Sequence, residues 1–260
     1  LRAARGHGPV NLPITRWGHG PRHAVLLHGF AGDARAWSHL APQLASRWTA
    51  DCVDLPGHGR APAPTTREAL LAAVQALLRP DSLLVGYSQG GRVALAAALG
   101  RPIAGIVLES ANAGLTRGRE ARRAADGALA ARLRAEGIDA FVDAWERVPV
   151  LDGLRHLPEA DRAALRARRL EQRPDGLARA LEVYGQGAMP SLWRRLAEVR
   201  APVLLLSGAR DRRYTAVAAR LARRLPDATH ERIAGAGHTP HLEAPEAWLA
   251  AVRAFSDRLP

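Results

Sequence analysis

The stretch LLVGYSQGGRVAL, residues 83–95, joins an apolar run to a serine set between glycines and then to an arginine. Residues 83–85 have the make-up of a buried strand and residues 89–99 that of a helix, so GYSQG falls on the turn between them. Gly-x-Ser-x-Gly at such a turn is the pattern of a nucleophile elbow, in which a strained backbone lifts the serine hydroxyl clear of the chain. The five letters alone carry little weight; their position does the arguing. Side chains at Gly86 and Gly90 would crowd the turn, and the helix that starts beyond Ser88 offers unpaired N–H groups to a developing oxyanion.

A reactive serine needs a histidine and an orienting carboxylate, which in this architecture arrive later in the chain. LLLSGARDRRY supplies Asp211 just past a buried run, and RIAGAGHTPHLEAP supplies His238 on a glycine-flanked loop before the last helix. Glu109, at the end of GIVLES, is the other acid that could orient a histidine. His241 reads as structural, because it sits near a helix start. The loop LLHGFAG, residues 26–32, has the form that gives the second oxyanion donor, so the backbone amides of Phe30 and Gln89 form the expected pair. In DLPGHGRA, residues 54–61, His58 reads as a loop anchor. No histidine, cysteine or acid cluster has metal-ligand spacing, and neither a metal nor a cofactor is expected. Arg92, four residues past Ser88, could face either a pocket or the surface on this reading.

Outward from the elbow, VNLPITRW at 10–17 can supply one or two opening strands, and HAVLLHG and TADCVDLPGHG read as strands flanking a helix at RAWSHLAPQLAS. TTREALLAAVQALL carries a Thr-Thr start with Glu68 in its first turn, a helix signature. IAGIVLES and APVLLLSGA lack polar alternation and read as strands buried on both faces. Residues 112–198 between them show almost no strand signal, and structureless loops rarely exceed about 12 to 15 residues. The expected organisation is an α/β fold with a mostly parallel sheet and helices on both faces. Its core comprises residues 1–111 and 199–260, and a helical lid occupies residues 112–198.

The 260 residues include 37 basic and 25 acidic ones, a formal charge of +12, and every basic residue is an arginine. The arginines are dispersed through amphipathic segments and aromatics make up only 5%, too few for base-stacking platforms. No specific nucleic-acid partner is expected; an anionic small molecule suits this field better. Cys52 is alone and reads as a buried hydrophobe. No apolar run approaches 18 residues and no signal-peptide pattern is seen, so the expectation is a cytoplasmic monomer or homodimer without membrane insertion.

Together, LHGFAG, VDLPGHG, VGYSQGGRVAL, DAFVDAWERVPVL, RLEQRPDGLARAL and AGHTPHLEAP make the chain resemble the α/β-hydrolase superfamily. Within it, the resemblance is to the 2-succinyl-6-hydroxy-2,4-cyclohexadiene-1-carboxylate synthases of menaquinone biosynthesis, the MenH type, over about residues 22–250. The elbow and the histidine motif are widespread; GYSxGGR with a lid bearing WExxP and RLxxxPxGLA is more selective. The resemblance implies a carbon–oxygen lyase that removes a ring proton and eliminates pyruvate, with Ser88, His238 and Asp211 as the proton-abstracting triad. It also implies that Arg92, Arg122 and Arg169 hold substrate carboxylates while Tyr87 and Trp145 complete the pocket. Glu171 and Arg173 depart from the small polar residue and asparagine of the family pattern, and Gln89 stands where methionine or leucine is common. A carboxylesterase or carbon–carbon bond hydrolase using the same triad is the alternative.

Overall fold

A computed structural model describes residues 11–259; Val10 and the other residues before Asn11 lie outside the described part. Among these residues, seven strands form one sheet in the order β1-β3-β2-β4-β5-β6-β7. These are β1 (Ile14–Trp17), β2 (Arg22–Leu27), β3 (Trp48–Val53), β4 (Ser82–Tyr87), β5 (Gly105–Glu109), β6 (Val203–Gly208) and β7 (Ala228–Ile233). Only β1 runs antiparallel to its neighbour; every other pair is parallel. β5 and β6 are buried at every residue, as unbroken apolar runs require when helices cover both faces.

Two buried layers sandwich the sheet. One gathers Val25, Leu27, Leu84, Val93, Leu95, Ile106 and Leu205; the other gathers Leu26, Trp37, Leu83, Val107, Leu204 and Trp248. Alternate residues of β2, β4, β5 and β6 enter opposite layers, following the two-residue side-chain period of a strand.

The helix expected at RAWSHLAPQLAS does not form as one piece. A single 3₁₀ turn (Ala34–Trp37) is followed by a four-residue α1 (Ala41–Leu44), because Pro42 has no N–H to bond the preceding turn and is seated only in the opening of a new one. Helix α2 (Arg67–Leu77) starts where its cap predicts, with Thr66 Oγ1 accepting the Ala69 N–H at 3.1 Å. Helix α3 (Gln89–Ala98) follows the elbow.

Between β5 and β6 the chain forms α4 (Arg119–Trp145), a 3₁₀ segment (Pro149–His156), α5 (Glu159–Leu170) and α6 (Pro174–Tyr184), then a short 3₁₀ turn (Leu196–Glu198). Gly137, at φ 80°, breaks α4 into two rods. These helices share their own apolar cluster, with Ala130, Leu133, Phe141, Val142, Leu177 and Leu181 packed beside Ala31 of the β2 loop. The sheet then resumes with β6, α7 (Arg212–Ala222) and β7, and the described chain closes with α8 (Pro240–Glu243) and α9 (Pro245–Ser256). No helix among the described residues is long and apolar enough to cross a membrane.

Candidate active site

Parallel strands end on one edge of the sheet, and loops leaving those ends converge there. β4 delivers Ser88, β6 delivers Asp211 and β7 delivers His238. Ser88 sits at φ 49°, ψ −105°, a conformation strained for a residue with a side chain. The turn is tight enough to dictate its glycines: a Cβ on Gly90 would lie 2.4 Å from the carbonyl oxygens of Leu27 and His28, and one on Gly86 2.7 Å from the Gly90 oxygen.

The Ser88 hydroxyl lies 3.2 Å from His238 Nε2, and His238 Nδ1 lies 2.8 Å from Asp211 Oδ2. With Nδ1–H donating to the carboxylate, Nε2 is left to accept the serine proton. The other Asp211 oxygen accepts the Tyr214 N–H at 3.0 Å, so the acid also caps α7. Burial pushes the Asp211 carboxyl up, but the His238 and Tyr214 hydrogen bonds outweigh it and hold the group below its ordinary range. It is therefore ionised at neutral pH.

Glu109 is committed elsewhere. Its Oε1 accepts from His241 Nδ1 at 2.7 Å and from the His241 amide at 3.2 Å, while Oε2 accepts from Trp248 Nε1 at 2.8 Å. This buried set ties α8 and α9 to the end of β5. His58 likewise anchors its loop, with Nδ1 3.1 Å from a Tyr184 hydroxyl that donates to the Pro56 carbonyl.

A cavity of about 420 Å³ opens over Ser88. Phe30, Tyr87, Gln89, Arg92, Arg122, Trp145, Arg169 and His238 all line it, so the residues singled out in the sequence meet at one place. Neither the Phe30 nor the Gln89 amide finds an acceptor among the described residues, so both are free to donate into the cavity. The Phe30 ring packs edge-on against Trp145, with centroids 5.3 Å apart.

The three arginines differ in how they are held. Arg92 is 7% exposed, forms no salt bridge among the described residues and leaves Nε buried without a partner. Burial therefore lowers its pKa. Arg122 is braced by Asp126 at 2.7 Å and Gln186 at 2.5 Å. Arg169 reaches Glu146 at 3.2 Å and also borders a second, outer cavity among the helices. Glu171 points away from this group: its carboxylate accepts from Arg35 at 2.7 Å, outside the cavity. Arg173 bonds the Ala61 carbonyl. The two departures from the family pattern thus fasten α5 and α6 to the core loops.

Sequence reasoning missed Arg213, Tyr214 and Gln186, which also line the cavity. The first two had a signal, since an aspartate capping α7 places the next residues in the first turn beside it. Tyr214 presents its ring 4.6 Å from that of His238. Gln186 follows a helix and carried no local cue. No group of three or more potential metal ligands occurs among the described residues.

Comparison with known proteins identifies the family of the chain. A family model described as "Alpha/beta hydrolase family" matches residues 24–252. A 2-succinyl-6-hydroxy-2,4-cyclohexadiene-1-carboxylate synthase of Citrobacter koseri is 37% identical over 234 residues, 85% of this chain and 88% of its own. The structure of MenH from S. aureus superposes with a TM-score of 0.90 at 31% identity, covering 95% of this chain and 98% of that one. A thermophilic esterase from Thermogutta terrifontis, solved with malate bound, gives 0.80 at 26% identity over 95% and 93%.

Proposed function

We propose that this chain, which belongs to the alpha/beta hydrolase family and is closely related to MenH-type proteins, eliminates pyruvate from an enolpyruvyl-bearing cyclohexene carboxylate. The observation that carries the reading is Arg92: a buried guanidinium with an orphaned Nε, in the same cavity as Ser88. An unpaired buried cation is costly unless a ligand supplies the counter-charge. A planar carboxylate fits that fork better than a neutral ester does.

In this mechanism His238 draws the proton from Ser88, and the serine oxygen removes the ring proton. The released electron pair moves into the succinyl ketone, whose oxygen becomes an oxyanion facing the Phe30 and Gln89 amides. Return of that pair forms the second ring double bond and breaks the bond to the enolpyruvyl oxygen. The departing pyruvate enolate takes up the proton held by His238. Arg122 and Arg169 hold the remaining carboxylates, and the helices of residues 112–198 act as a lid that shields the oxyanion from water.

Incubation with the enolpyruvyl substrate, following pyruvate release and conjugated-diene absorbance together, tests this directly. Both signals should rise in step. Diene formation absent while simple esters are cleaved would favour the hydrolase reading. The apolar share of the wall supports that second reading: Leu129, Leu151, Leu154, Leu165 and Leu181 would accept an acyl chain.

A further inference from the structure

The loop that carries His238 is gripped by a carboxylate outside the triad. Glu243 Oε2 accepts the Gly237 N–H at 2.6 Å, and Oε1 accepts both the Thr239 N–H at 2.9 Å and the Thr239 hydroxyl at 2.6 Å. These donors flank His238 on either side. Glu243 forms no salt bridge among the described residues, and the donors that hold its two oxygens are the Gly237 and Thr239 amides and the Thr239 hydroxyl. Any shift of this carboxylate is therefore passed to the backbone on both sides of the histidine.

The Glu243 carboxylate also abuts the inserted segment. Gly153 belongs to the 3₁₀ segment Pro149–His156, whose Val150, Leu151 and Leu154 line the cavity. A Cβ on Gly153 would fall 2.1 Å from Glu243 Oε2 and 2.6 Å from its carboxyl carbon. Glycine is thus what lets this segment lie flat on the carboxylate. Gly153 is not among the positive-φ glycines, so its backbone suits alanine. The three heavy atoms that a methyl group would approach most closely all belong to Glu243.

We infer that Glu243 is a positioning residue: it sets His238 through Gly237 and Thr239, and it is itself set by the seating of the 149–156 segment on it. The segment that closes over the substrate thereby also fixes the base. This rests on the triad reading above.

The test measures steady-state turnover of the enolpyruvyl substrate, and of a neutral short-chain ester, by the full chain and its variants, with Ser88→Ala as reference. Gly153→Ala should lower kcat five- to twenty-fold with KM nearly constant, because the methyl group displaces the carboxylate without touching Arg92. Glu243→Ala should lower kcat at least as far, and Glu243→Gln less, since an amide oxygen can still accept from Thr239. In the Glu243→Ala background, adding Gly153→Ala should cost less than twofold more, as the methyl group enters vacated space. Wild-type kcat in Gly153→Ala, or the same fold-loss in both backgrounds, would overturn the inference. A Ser88→Ala variant with full turnover would instead overturn the triad reading beneath it.

Discussion

Ser88 Oγ stands 3.2 Å from His238 Nε2, a longer contact than the 2.8 Å that joins the same ring to Asp211. The ring is thus held closely by Asp211 and loosely by Ser88, as is common in a site before substrate tightens it. Ser88→Ala should lower pyruvate release at least 100-fold and leave the thermal midpoint within a few degrees, because only one hydroxyl is lost. Near-normal turnover by the purified variant would remove Ser88 from the mechanism.

Asp211 and Glu109 should separate cleanly. Asp211→Asn should cost at least 100-fold in kcat, since the amide cannot stabilise the imidazolium and presents the wrong partner to Nδ1. Glu109→Gln should instead lower stability by about 1 to 3 kcal/mol, because a buried acceptor of three hydrogen bonds becomes partly a donor. Turnover per folded molecule should stay within about fivefold. Paired kinetics and thermal melts decide the matter, and the reverse pattern would move the acid to β5.

Arg92→Ala should lose about 2 to 4 kcal/mol of transition-state binding for the carboxylate substrate. Arg92→Lys should recover only part, as an ammonium keeps the charge without the bidentate fork. Any activity on a neutral ester should survive Arg92→Ala within about tenfold. Equal losses on both substrates together with a lower melting temperature would make Arg92 a structural residue.

Stability should decline on mild acidification. His28 is buried, with Nδ1 donating to the Gly29 carbonyl at 2.7 Å and Nε2 accepting the Leu55 N–H at 3.0 Å, so a second ring proton has no place. Burial depresses its pKa and that of the neighbouring His58. Below pH about 6.5 the unfolded chain binds protons that the folded chain refuses, so this contribution is complete above that pH and shrinks as pH falls toward the folded values. Melting temperature measured from pH 7.5 to 5.0 should fall; a constant value would contradict two neutral buried rings.

The local code sufficed where one residue's conformation decided the outcome. The glycines about Ser88, the Thr66 cap and the unbroken apolar runs of β5 and β6 each follow from sterics or periodicity within a few residues. Ser88, Asp211 and His238 were legible because strand ends are predictable and the three strands share one edge. The split of residues 35–46 at Pro42 was in principle readable too, but apolar spacing outweighed it. Tertiary structure alone decided what each charged side chain faces. Arg92 lies on the wholly buried α3 and Arg169 on the largely exposed α5, and only packing left the first without a counter-ion and gave the second Glu146. Glu171 turns outward to Arg35 for the same reason. A long side chain's partner is set by whichever charge the fold brings within about 3 Å, and residues 136 positions apart meet only after the sheet has placed their elements.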